Sequence, residues 1–169
     1  MTPLMFVLLQ VAIIAYALVA GVFLAFSDFI MRSLALTGGV GGVEAMQVIN
    51  REVFRWVFMA LFLGMAAASL GVAGYGAINL AHPAGALILL AGLIYLLGCF
   101  GVTVFFNVPM NEALAGMDRS EGATQDYWLQ TYVPRWTFWN SVRTCAATLS
   151  AALLLFGLLW MTQSEAQLP

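Results

Sequence analysis

Four residues whose side chains can do chemistry fall on one face of a single predicted helix. Trp136, Trp139, Asn140 and Arg143 are spaced i, i+3, i+4 and i+7, the repeat of one helical face. Arg143 stands about 13.5 Å along that helix from Pro134, at 1.5 Å per residue. Earlier in the chain, Asn107 and Asn111 carry amides four residues apart at the end of another apolar run. Asn50, Arg51, Glu52 and Phe54 mix charge and bulk just before a third such run, and Asp28 closes the first, beside Ser27. Ionisable residues inside an apolar span face a cavity or a partner and mark function. The combination therefore reads as a polar pocket at one end of a helical bundle. Its parts are hydrogen-bond donors, aromatic walls and carboxylates that can move a proton.

Taken singly, each residue also has a structural reading. Trp56, Trp128, Tyr132, Trp136 and Trp139 can form the aromatic belt found at membrane interfaces. Arginines near helix ends can snorkel, and asparagines can cap helices or join them. Other chemistries fit less well. A lone histidine, His82, cannot build a His-rich metal site and sits in a turn sequence. A carboxylate metal site from Asp28, Glu52 and Glu112 is conceivable, but no metal is expected. Cys99 and Cys145 form no CxxC and read as free thiols, a redox pair being the lesser alternative. The glycines at 38, 39, 41 and 42 lack the GK[ST] ending of a phosphate loop and read as a flexible break. A net charge of -2 with six arginines and no lysine gives no reason to expect nucleic acid as a partner.

The elements that must position these residues follow from the charge pattern. Of the 14 charged side chains, six lie between Asp28 and Arg55, seven between Glu112 and Arg143, and one at Glu165. The rest is uncharged in runs long enough to cross a hydrocarbon slab, which takes about 20 residues of helix. A charge at the centre of such a slab costs several kcal/mol, so the charged windows belong at or beyond a membrane face. The uncharged stretch from 56 to 111 is right for two crossings joined at Asn79, His82 and Pro83. The expectation is one all-α domain, an integral membrane four-helix bundle. Its helices run at about 4–26, 54–79, 84–108 and 134–161, with polar interhelical segments at 27–53 and 109–133. Pro134 suits a helix's first turn, and Gly64, Ala68, Gly71, Gly98 and Gly101 are small enough for close helix packing. Strands are excluded in the hydrocarbon, because an open sheet leaves backbone groups unpaired. The first segment lacks a basic start and its apolar run is longer than the about 7–15 residues of a signal peptide. It is expected to stay as a helix, although Ala15, Tyr16 and Ala17 look like a cleavage site.

The motifs GVFLAFSDF (21–29), MQVINR (46–51), FNVPMN (106–111) and WTFWNSVRT (136–144) occur in this order over nearly the whole chain. In these the chain resembles the anthrone oxygenase-like family of small four-helix membrane proteins. The Asn-x-Pro-x-Asn and Trp-Asn-x-x-Arg elements are the most specific. Relatives are expected to carry histidine where this chain has Ser141, so a histidine base is missing there. The resemblance implies oxidation of an anthrone-like or phenolic hydrophobic substrate with O2 as co-substrate and without a cofactor. It implies that Asn107, Asn111, Asn140 and Arg143 hold the substrate oxyanion. Asp28 or Glu52, raised in pKa by burial, would take the proton, and Phe54, Trp136 and Trp139 would form the walls, with Asn50 and Arg51 at the substrate. Two alternatives stay open. One is a non-catalytic binding or transport protein for a lipid, quinone or hydrophobic metabolite. The other is an accessory subunit of a membrane complex, or a homo-oligomer, whose polar end docks a partner.

All six arginines fall in the two windows, and the positive-inside rule then puts both windows in the cytoplasm and both termini outside, as in a bacterial inner membrane. Reporter fusions after Leu80 and at the C-terminus are therefore expected to report the outer face. A cytoplasmic C-terminus together with an external Leu80 would break the four-span count.

Overall fold

The computed structural model describes residues 1–38, 40–55, 57–118 and 122–166. Gly39 of the glycine-rich break and Trp56 of the aromatic set lie outside the described residues. Five helices order the chain: α1 (Pro3–Leu36), α2 (Gly41–Glu52), α3 (Val57–Ile78), α4 (Pro83–Ala115) and α5 (Gly122–Ser164). Among the described residues there is no strand. All but α2 are long and apolar enough to cross a membrane, which makes this an all-α integral membrane protein.

The inward faces of α1, α3 and α5 follow one rule. Buried positions are Leu9, Ala12, Tyr16, Val19 and Phe23 in α1, and Phe62, Met65, Ser69, Val72 and Gly76 in α3. In α5 they are Trp136, Asn140, Arg143, Ala147, Ser150 and Leu154. Steps of three and four alternate, which keeps a straight seam between helices crossing at about 20°. The opposite faces, such as Leu4, Val11 and Leu18 of α1, are exposed and apolar, as a surface bathed in lipid must be. Around the bundle α1 packs on α5, α5 on α4 and α4 on α3, while α1 and α3 touch far less.

The tightest joint is the α3–α4 hairpin. A methyl added at Gly76 would meet the backbone of Leu89 and Gly85, one at Gly85 the backbone of Asn79, and one at Gly92 the carbonyl of Ser69. These glycines let two backbones touch, the usual way that helices associate where no hydrophobic drive acts between them. Three of the small residues expected in that role face outward instead. Gly64 and Gly71 have open space beside the Cβ position, and Ala68 is exposed. Gly98 does pack closely, with Ala146 2.8 Å from its Cβ position, whereas Gly101 would meet only its own helix at Leu96. The hairpin turn is set by His82, whose Nδ1 accepts from the Ala84 amide at 3.1 Å and caps α4. Cys99 is buried and Cys145 exposed, both free, so no redox pair forms.

The helices outrun the boundaries that charge suggests. The segments at 27–53 and 109–133 are largely helical: α1 continues to Leu36, α4 to Ala115, and α5 starts at Gly122 rather than at Pro134. Each continuation passes through π-helical turns, at Phe26–Ile30, at Tyr95–Gly101 and Thr103–Asn107, and at Trp128–Tyr132. Pro109 and Pro134 each come two residues after such a turn. The ordinary ladder is already interrupted there, so the missing proline N–H does not end the helix. A second apolar core holds this end together, built from Met31, Val43, Met46, Leu114, Trp128, Tyr132 and Trp136. The amphipathic α2 lies across it, tied by Gln47 Nε2, which donates to the carbonyls of Leu114 (2.8 Å) and Met117 (3.3 Å).

Gly92→Leu is expected to destabilise the protein by at least the about 1–3 kcal/mol typical of overpacking, because the obstacle is backbone. Gly71→Ala should leave thermal unfolding in detergent within about 0.5 kcal/mol of wild type. Equal effects of the two would contradict the close α3–α4 joint.

Candidate functional site

Under α2, at the charged end of the bundle, lies a cavity of ≈ 400 Å³, inside the range of about 300–1,000 Å³ usual for small-molecule pockets. Its walls are mostly apolar. Phe23 and Phe26 come from α1, Met46 and Ile49 from α2, Phe58 and Phe62 from α3, and Trp136 from α5. The polar exceptions are Arg143, Asn111, Asn50, Thr103 and Glu52.

Arg143 is 4 % exposed. Its Nη2 donates to Asn140 Oδ1 at 2.6 Å and its Nη1 to Thr103 Oγ1 at 3.1 Å. The guanidinium carbon stands 4.2 Å from the centre of the Phe23 ring and 5.2 Å from that of Trp136. Its Nε has no hydrogen-bond partner. Among the described residues no carboxylate pairs with it; the ion pair present there joins Arg55 to Glu52 at 3.2 Å. A buried charge without a counter-charge is costly, and neutral acceptors with aromatic faces offset only part of that cost. The site therefore favours an anionic or strongly dipolar oxygen at the cavity.

Neighbouring amides have distinct jobs. Asn140 is fully buried: its Nδ2 donates to the Phe23 carbonyl and to Ser27 Oγ, both at 2.6 Å, while its Oδ1 accepts the hydrogen bond from Arg143. Ser141 Oγ adds a 3.0 Å hydrogen bond to Ser27 Oγ. Asn140 thus joins α1 to α5 and orients Arg143 without reaching the cavity. Asn111 does reach it. Its Oδ1 accepts from Tyr132 Oη (2.7 Å) and Trp136 Nε1 (2.8 Å). Two donors on one oxygen fix the flip of the amide and leave the NH2 of this cavity-lining residue as a donor. Asn50 Nδ2 donates to Tyr132 Oη at 3.3 Å, linking α2 to the same network. Asn107 is buried and braces α5 through a 3.3 Å hydrogen bond from its Nδ2 to the Trp136 carbonyl. It does not line the cavity, and its Oδ1 has no partner.

Several residues expected at the site lie elsewhere. Asp28 is exposed and off the cavity, because the π-turn at Phe26–Ile30 gives the inward position to Ser27. Arg51 is exposed on the outer side of α2. Trp139 stacks on Phe106 with ring centres 3.8 Å apart, outside the cavity, so the interfacial reading fits it. That reading does not fit Trp128, Tyr132 or Trp136, which are buried and stacked in series, with ring centres 5.3 and 6.2 Å apart. Phe54 lines the cavity while 64 % exposed, so it forms part of the rim. Glu52 also lines it, its side chain 45 % exposed beside Arg55. The carboxylate set of Asp28, Glu52 and Glu112 is not gathered; among the described residues no three His, Cys, Asp or Glu come close enough to hold a metal. Thr103 and Phe23 are site residues that the sequence did not single out, while Ser27 was noted only as the neighbour of Asp28 and Tyr132 only as part of an aromatic belt. The three-four alternation of buried positions would have brought in Phe23, in register with Tyr16 and Val19.

A family model described as anthrone oxygenase matches residues 51–153. That range covers α3, α4 and most of α5, and includes Phe54, Asn107, Asn111, Trp136, Asn140 and Arg143. No curated protein and no solved structure matches the chain.

Removing the charge should separate structure from function. Replacing a buried ion pair by well-packed apolar residues of similar volume is often neutral or stabilising by about 1–4 kcal/mol, and Arg143 carries a buried charge with no carboxylate among the described residues to offset its desolvation. Arg143→Met is therefore expected to keep or raise the unfolding temperature in detergent. Asn140→Leu should lower it, by about 1–3 kcal/mol in stability, because Arg143 loses its closest acceptor. The reverse order would make Arg143 a structural residue.

Proposed function

The chain belongs to the anthrone oxygenase family, and from that premise we propose that it oxidises a hydrophobic anthrone-like or phenolic substrate with O2 in the cavity beneath α2. The observation that carries the proposal is Arg143: a buried guanidinium without a carboxylate partner, its Nε free, on the wall of an apolar cavity.

The reaction converts a ring methylene and O2 into a ring carbonyl and water. Loss of one methylene proton gives an enolate whose charge rests on the ring oxygen. Arg143 and the Asn111 amide would hold that oxygen, in a setting where preorganised donors stabilise developing charge most. The aromatic and aliphatic walls would take the fused rings. Glu52 is the carboxylate on the wall and would accept the proton. The electron-rich carbon then passes electrons to O2 and bonds to it, and the returned proton completes a hydroperoxide. Loss of the second methylene proton breaks the O–O bond, forms the carbonyl and releases hydroxide, which leaves as water. The substrate supplies all the electrons.

A second reading, ligand binding without chemistry, draws support from the pairing of Glu52 with Arg55, which engages the carboxylate at the rim. O2 uptake with dithranol, corrected for its autoxidation, separates the two. Wild type should exceed the detergent blank and yield one quinone per O2. Arg143→Ala should lose about 10²–10³ in rate, the usual cost of removing an oxyanion donor, with Asn111→Ala and Glu52→Gln also impaired. Saturable binding of dithranol with no rate above the blank would favour the binding protein. Neither binding nor rate would remove this substrate class.

A further inference from the structure

We propose that the cavity is filled sideways from the lipid, through the seam between α1 and α3, so that its substrate is a membrane-dissolved lipophile that does not enter from water. The proposal rests on the function above only in taking this cavity as the binding site.

The seam is the weak joint of the bundle. α1 is packed along α5 and held there by the Asn140 hydrogen bonds to Phe23 and Ser27, whereas its contact with α3 is slight. The hydrogen bond between Tyr16 Oη and Ser69 Oγ, at 2.7 Å, pins the seam on the far side of the cavity from the charged end. Above that pin the two helices meet at the cavity through aromatic edges, Phe23 against Phe58 and Phe62 with ring centres 5.7 and 6.1 Å apart. Edges of this kind can part by side-chain rotation, without breaking a hydrogen bond.

The mouth is apolar and at membrane depth. Val22, which lines the cavity, is 39 % exposed, and Phe58 and Met59 across from it are half-buried. Val22 comes six residues before Asp28, the first charge of α1, so it sits about 9 Å inward along the helix. Met59 comes four residues after Arg55, about 6 Å inward. An opening at that depth between apolar side chains meets hydrocarbon. The charged end, by contrast, is covered by α2, through the Gln47 hydrogen bonds to α4, the Asn50 bond to Tyr132 and the buried Met46, and its rim carries the Glu52–Arg55 ion pair. A ligand coming from the water would have to pass that charged rim, whereas the seam offers an apolar path.

The test uses the full chain in lipid nanodiscs and follows saturable quenching of its tryptophan fluorescence by two probes, a dihydroxyanthraquinone and its sulfonated, membrane-impermeant analogue. The lipophilic probe's association rate should track its mole fraction in the bilayer, and the sulfonate should associate poorly. Val22→Phe, which narrows the seam, should slow the lipophilic probe by about tenfold or more, within the range by which interface mutations change on-rates. Phe58→Ala, which widens it, should speed association. Leu63→Phe, on the lipid-facing side of α3, controls for added bulk and should match wild type. Matched unfolding temperatures show that the variants are folded. Rates that follow aqueous concentration, or a Val22→Phe rate equal to wild type, would overturn the lateral route while leaving the cavity as a binding site. Failure of wild type to bind either probe would overturn both proposals.

Discussion

A guanidinium held among phenylalanines and tryptophan, about 13.5 Å along its helix from the nearest proline, constrains everything around it. Arg143 cannot snorkel out, because it is 4 % exposed. It has neutral acceptors instead of a counter-ion, and each acceptor needs its own support. Asn140 can offer its oxygen to Arg143 because its amide is anchored on the Phe23 carbonyl and Ser27. Thr103 is held in turn by its own hydrogen bond to the Cys99 carbonyl at 2.9 Å. Removing any of these leaves a charge in low dielectric with less to hold it. The polar contacts at this end thus form one connected set, in which single residues do not act independently.

That set requires backbone geometry that a regular α-helix does not provide. In α1, α4 and α5 the helix widens into π-turns at the charged end, and α3 is entered through the 3₁₀ turn Val53–Arg55. A π-turn shifts the phase of the residues that follow and opens the ladder to outside donors, which is why such turns gather at functional sites. Here one effect is visible at each place. Ser27 turns inward while Asp28 turns out, Asn107 reaches the Trp136 carbonyl, and Tyr132 comes under Asn111. The far halves of the same helices carry regular stripes of small and aliphatic residues. Apart from the π-turn Tyr95–Gly101 in the middle of α4, the irregularity lies at the end with the cavity.

The same division explains what could be read from the sequence. Four spans were legible because charge is excluded from hydrocarbon, and the face carrying Trp136, Asn140 and Arg143 because those positions obey helical periodicity. Where π-turns break the period, reading fails. Asp28 was assigned to the site and Ser27 was passed over, although they are neighbours, because a regular helix gives no reason to choose between them. Trp139 falls within the arc of a regular helical face, yet it sits on the rim of that arc and finds Phe106 outside. Thr103 looked like one more tolerated hydroxyl in an apolar run, and only the arrival of Arg143 from another helix gives it a role. Boundaries were misjudged for a related reason: polar residues at 27–53 and 109–133 suggested connections, but they cover a second apolar core that is itself helical.

The placement of the carboxylates follows from the same electrostatics. A carboxylate beside Arg143 would neutralise it and remove the site's preference for an anionic oxygen, since the pair would satisfy itself in low dielectric. Glu52 is instead at the rim, where water reaches it and Arg55 is the cation it meets. In the proposed reaction donor and base are thus kept apart, Arg143 buried and Glu52 partly exposed on the same cavity wall. An aromatic enol filling the space between them would exclude water from the guanidinium while its acidic carbon could still face the rim. In such an arrangement the ligand itself completes the charge balance of the fold, so occupancy of the cavity and stability of the bundle's charged end should be coupled.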